Sequence, residues 1–202
     1  MEPQASPAPH YGPKFTAERI LKGAAKAFGE SGLKATTVQN ILNAAGVSRR
    51  TFYLHFRNIE AVLDALYADS ATRLLDTLKR ALQKSTNTDE ALENTVRAYL
   101  NFQREGGELL NLLQIEAMHA DSIFAGRRQA TLDLLVNLIS RATEAEQGII
   151  VDKLYVRACL MGIEGTVNHL WLTRKVVPDE DWDHLFAIAT KLLADSLMTA
   201  SE

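Results

Sequence analysis

The stretch "AAGVSRRTFYLHF", residues 44–56, decides how the chain is read. Gly46 can take the left-handed backbone conformation that joins two helices through a tight turn. Before it, Val38, Ile41, Leu42 and Ala45 recur at helical spacing. After it, Ser48 is suited to cap a short helix that turns Val47, Phe52 and Phe56 inward. Ser48, Arg49, Arg50, Thr51, Tyr53 and His55 then fall on the outer side. Two short helices joined at a glycine make a helix-turn-helix, whose second helix fits the major groove of DNA. Arginine can donate two parallel hydrogen bonds to guanine O6 and N7, while hydroxyls and imidazole bond phosphate oxygens. Taken one residue at a time, a solvated surface explains the same side chains. Taken together, they point to DNA.

The flanking sequence completes the unit. Ile20, Leu21, Ala24, Ala25 and Phe28 form one stripe of a helix that should start near Thr16 and stop at the Gly29–Gly32 stretch. Thr36 and Gln39 have the spacing of a capping box for the second helix, and Thr37 is the alternative cap. Residues 14–57 carry eight bases against two acids, a balance of +6, whereas the whole chain has a net charge of -3. A basic head on an acidic body suits a polyanion-binding unit attached to a domain with another task. Ahead of it, four of the five prolines lie within residues 1–13, and that composition reads as a disordered tail.

Downstream the apolar residues keep the period of 3.6, and no strand is expected. Helices are expected over about 59–82, 88–105, 107–119, 122–147, 152–175 and 179–199, broken at Asn87, Gly106-Gly107, Gly148 and Pro178. The fold class is therefore all-α: an N-terminal three-helix domain with a helix-turn-helix and a larger C-terminal helical bundle, about nine helices in total. The domains are expected at 14–58 and 59–202.

Several function classes are disfavoured. The sequence has no G-x-S-x-G, P-loop or dinucleotide fingerprint, so no catalytic residues are assigned and an enzyme is not expected. The five histidines share no close spacing with one another or with Cys159, so no metal or cofactor is expected. The N-terminus lacks the basic and apolar regions of a secretory signal, and the single cysteine cannot form an internal disulfide. A cytoplasmic protein is expected. The most apolar run, Leu154 to Leu172, is broken by Arg157, Glu164, Asn168 and His169, which argues against a membrane span.

Residues 16–66, with "ILKGAAKAFGESG", "ATTV", "AAGVS" and "TFYLHF", resemble the N-terminal domain of the TetR (tetracycline-repressor-like) transcriptional regulators. The resemblance implies a homodimer that binds a palindromic operator on double-stranded DNA. It also implies a C-terminal domain in which a small-molecule effector releases the DNA, most often making the protein a repressor. By the same resemblance Thr37 contacts phosphate, Arg49, Arg50 and Thr51 face bases, and Tyr53 and His55 bond the backbone or reach base edges. The family often has a phosphate-binding lysine where Ile59 stands; Arg57 is the nearest substitute.

The resemblance places the dimer interface on the helices at about 152–175 and 179–199. The stripe Trp182, Leu185, Phe186, Ala189, Leu192, Leu193 and Leu197 fits such a contact, with packing inside one subunit as the alternative. Arg157, Glu164 and Asn168 share a face, where they either line a pocket or pair to fix the register of the dimer. Phe102, Met118, His119, Glu164, Asn168 and Trp171 are the candidate ligand-binding residues. For His119, His169 and Trp171 a satisfied place in the core is the alternative, and for Cys159 a structural role is favoured over redox sensing.

Overall fold

The structure, a computed structural model, describes residues 13–148, 150–174 and 176–198. Among them are eight α-helices and no strand: α1 (Pro13–Ser31), α2 (Val38–Ala45), α3 (Arg49–His55), α4 (Ile59–Gln83), α5 (Thr88–Met118), α6 (Ala125–Gln147), α7 (Lys153–Thr173) and α8 (Asp179–Met198). The count is one short of nine only because α5 takes in both helices expected over 88–105 and 107–119. Between them the backbone leaves the helical region at Gly107, with φ 58° and ψ -155°, at the glycine pair where the break is expected. Of the expected tail, residues 1–12 lie outside the described residues, as do Lys175 and Thr199 at two expected helix ends. Pro13 opens α1, where a missing N–H leaves no bond unmade.

The chain divides into two compact units, one ending at Leu66 and the other beginning at Tyr67. In the first, α1 packs on α2. Ile20, Ala24, Phe28, Ile41 and Phe52 are wholly buried, and Leu42 and Ala45 nearly so. Thr37, and not Thr36, caps α2. Its backbone N–H donates to Asn40 Oδ1 at 2.9 Å, and Asn40 N–H donates to Thr37 Oγ1 at 3.3 Å. Thr36 is buried and donates its hydroxyl to Gly32 O at 2.8 Å, tying down the α1–α2 turn.

In the second unit α5 packs against α6, α7 and α8, and α7 against α6 and α8. The main core joins Val96 and Leu100 of α5, Ile163 and Val167 of α7, and Trp182, Leu185, Ala189 and Leu193 of α8. Leu197 is buried in a neighbouring cluster. The apolar stripe of the last helix is therefore mostly packed within its own subunit. Of the stripe only Leu192 is exposed, and Phe186 lies under the Arg97 guanidinium, 4.2 Å from the ring centre.

The polar residues of α7 are also used internally, against α6 and the end of α5. Arg157 pairs with Asp133, Glu164 pairs with Arg128, and Asn168 donates to Met118 Sδ at 3.7 Å. Cys159 is buried with its Sγ 3.7 Å from Leu192 O, and burial pushes its thiol above the usual range, which suits a structural residue and disfavours a thiolate.

Candidate functional site

Gly46 stands between α2 and α3 with φ 62° and ψ 40°, the left-handed turn the sequence calls for. Arg19 of α1 fixes this turn by donating to Ala45 O at 3.0 Å and Gly46 O at 2.9 Å. Ser48 caps α3, accepting from Thr51 N–H at 3.1 Å, and the two hydroxyls share a hydrogen bond of 2.8 Å. Phe52 anchors the helix from behind, edge-on to Tyr53 and 6.1 Å from the half-buried Phe56. Val47 is likewise half-buried.

With Phe52 inward and about 100° between successive residues, Arg50 and Leu54 point most directly outward. The structure leaves Thr37, Ser48, Arg49, Arg50, Tyr53 and Arg57 exposed, and Thr51 and His55 half-exposed. All eight expected DNA-contact residues thus lie on the first unit's surface. Two were missed. Gln39, on the exposed side of α2, accepts from Arg49 Nη2 at 3.4 Å. Leu54, 75 % exposed, is an apolar side chain on the outer face of α3. The helical wheel of α3 alone would have marked Leu54, whereas Gln39 needs the α2–α3 packing to be known. Asn58, not Ile59, supports the start of α4, accepting from Ala61 N–H at 2.9 Å.

The second unit holds a mostly apolar cavity of about 860 Å3, its opening to solvent included. Tyr67, Leu74 and Leu78 of α4 and Arg128, Leu135 and Ile139 of α6 are among its lining. Each series spans eleven residue steps of helix, about 16 Å at 1.5 Å per step. Phe102 and Glu164 line it as expected, joined by Gln114 and Tyr99. The other four candidates do not. Met118 and His119 are exposed at the end of α5, Asn168 is buried elsewhere, and Trp171 packs edge-on against Trp182 in the main core. His119 is not a core histidine either, and His169 is also exposed.

Arg128 and Glu164 meet in a two-pronged, largely buried ion pair in the cavity wall. Tyr67 stacks on Phe124 with ring centres 5.2 Å apart. Burial, with a smaller contribution from the Glu164 carboxylate, pushes the Tyr67 phenol up to about 12. Tyr99 is raised too, mainly by burial, and accepts from Gln103 Nε2 at 2.7 Å. Gln114 Oε1 and Thr95 Oγ1, both at the cavity, are buried without a hydrogen-bond partner. Among the described residues no group of His, Cys, Asp and Glu is placed to hold a metal.

Residues 20–66, from α1 through the turn to the start of α4, match the family model for bacterial regulatory proteins of the tetR family. The first unit carries a TetR-family DNA-binding domain. The chain is a DNA-binding transcriptional regulator and not an enzyme. The fatty acid metabolism regulator protein of Bacillus subtilis (strain 168) is 24 % identical to it over 183 residues, 90 % of this chain and 92 % of that one. The transcriptional repressor KstR2 of Mycolicibacterium smegmatis is 30 % identical over 115 residues, 52 % of this chain and 56 % of its own. The crystal structure of FadR from Bacillus subtilis in complex with stearoyl-CoA shares the fold, with a TM-score of 0.70 at 20 % identity over 92 % of this chain and 99 % of that one. Among the described residues no helix is long and apolar enough to cross a membrane.

Proposed function

We propose that this regulator is a repressor that binds a palindromic operator as a homodimer and is released when an apolar, lipid-like effector enters the cavity of its second unit. The observation that carries the reading is the pairing of an exposed, cationic α3 with a separate apolar cavity in one chain. The related proteins named for fatty acid metabolism, and the FadR structure with stearoyl-CoA, support an effector with a long apolar part. Arg49, Arg50 and Thr51 face bases; Thr37, Ser48 and Arg57 hold the backbone, and Tyr53 and His55 hold the backbone or reach base edges. Arg57 stands in for the lysine missing at Ile59.

Release is a shift of population. The effector binds best to the state whose two α3 helices no longer match successive major grooves, about 34–36 Å apart. The exposed faces of α7 and α8 form the contact between subunits. Titration of duplex DNA at low and moderate salt tests the core of the reading. Affinity that falls steeply with salt, and falls again on adding a long-chain acyl compound, is the expected result. Salt-independent or absent DNA binding would refute it.

A further inference from the structure

Among the described residues lining the cavity, Arg128 and Glu164 are the only charged ones, and they cancel. Their contact is two-pronged, Arg128 Nε to Glu164 Oε1 at 3.3 Å and Nη2 to Oε2, with both side chains mostly out of solvent. A buried pair of this kind strongly resists losing one partner, because the other charge is left uncompensated. A carboxylate entering the cavity would have to take Arg128 from Glu164 and leave a buried anion behind. Gln114 gives a second, independent indication: its Oε1 is an acceptor, buried at the cavity and without a donor. A carboxylate has only acceptors to offer it, whereas an N–H or O–H completes the bond.

We infer that the polar end of the effector is an uncharged group carrying a hydrogen-bond donor, an amide or an alcohol, and not a free carboxylate. The inference rests on reading this cavity as the effector site. It narrows the lipid-like class to neutral derivatives. Glu164 acts as the residue that refuses the free acid, and Gln114 as the one that selects for a donor.

The test compares decanamide, decanol and decanoate, one chain length with three heads, binding to the full chain at about pH 8, where decanoate is ionised. Calorimetry is expected to find the amide and the alcohol at least about tenfold tighter than the carboxylate. Glu164→Gln frees Arg128 and is expected to reverse the order. Should that variant fail to fold, Arg128→Met with Glu164→Leu removes both charges together and is expected to keep the preference for the neutral heads. Gln114→Leu is expected to weaken the amide and the alcohol and leave decanoate unchanged. Wild-type protein that binds decanoate as tightly as decanamide overturns the inference and leaves the cavity as effector site standing. Protein that binds DNA but none of the three overturns the cavity itself.

Discussion

Gly23 of α1 lies directly against Ala45 of α2: a Cβ at Gly23 would sit 2.6 Å from the Ala45 Cβ and 2.5 Å from its backbone nitrogen. Neither neighbour can give way, since one is backbone and the other a methyl fixed to it. The helix-turn-helix is built on this contact, because Ala45 immediately precedes the Gly46 turn and its carbonyl is held by Arg19. Gly23→Ala is therefore expected to push α2 off α1 and destabilise the first unit by about 1–3 kcal/mol, as overpacking does. Thermal unfolding and a DNA titration would both register it. A variant with unchanged stability and affinity would show that the two helices separate at little cost.

On α3 the outward residues separate two kinds of contact. Arg50→Ala is expected to cost about 1–3 kcal/mol of operator binding and relax the preference at one base pair, as loss of a guanine contact does. Leu54→Ala, on the same outer face, is expected to relax the preference for a thymine, whose methyl group an apolar side chain can touch. Tyr53→Phe removes only a hydroxyl and is expected to weaken all sequences evenly if that hydroxyl holds phosphate. Binding to single-base variants of the operator distinguishes these patterns. Even weakening by Arg50→Ala would move Arg50 to the phosphate backbone.

The helix-turn-helix was legible because it is local. Gly46, Ser48, Phe52 and the exposed cations are set by spacing within thirteen residues, and the structure realises them there. The cavity was not. Phe102 and Glu164 were found, but Arg128, Tyr67 and Gln114 come together from α4, α5 and α6, and no spacing along the chain brings them to one wall. The stripe on α8 was read correctly as apolar, yet its destination depends on which neighbour covers it. Trp182, Leu185, Ala189 and Leu193 meet α5 and α7 within the subunit. Periodicity names a buried face without naming its partner. Gly107 stands on the legible side: a glycine pair marks a break locally, and the backbone is non-helical there.

Tyr67 gives the second unit a pH dependence. Its phenol, ordinarily near 10, is pushed up to about 12, first by burial and then by Glu164. The folded chain keeps this proton where the unfolded chain has lost it, so stability is intact below about pH 10 and falls as pH rises through 12. Tyr67→Phe has no proton to lose. In a denaturant series from neutral pH upward, the wild type is expected to lose up to about 3 kcal/mol relative to this variant. Parallel curves would mean that Tyr67 reaches solvent in the folded chain.

The proposed contact between subunits can be tested by adding a charge where it would harm only a dimer. Leu154, Met161 and Leu172 of α7 and Ile188 and Leu192 of α8 are exposed apolar side chains. Gly162 and Gly165 of α7 face open space, leaving room for a second helix to approach closely. A monomer would leave this surface in water, whereas a twofold contact buries it against its own copy. Ile188 is 44 % exposed in the single chain, so Ile188→Glu should leave each subunit folded. A twofold contact there would place two such glutamates in one interface, and the charge that water accepts on the monomer would have to be desolvated twice. Sedimentation is expected to show a monomer with an unchanged helical signal. Operator affinity should drop by orders of magnitude, since each half-site must then be bound separately. If Ile188→Glu stays dimeric, the subunits meet on some other face.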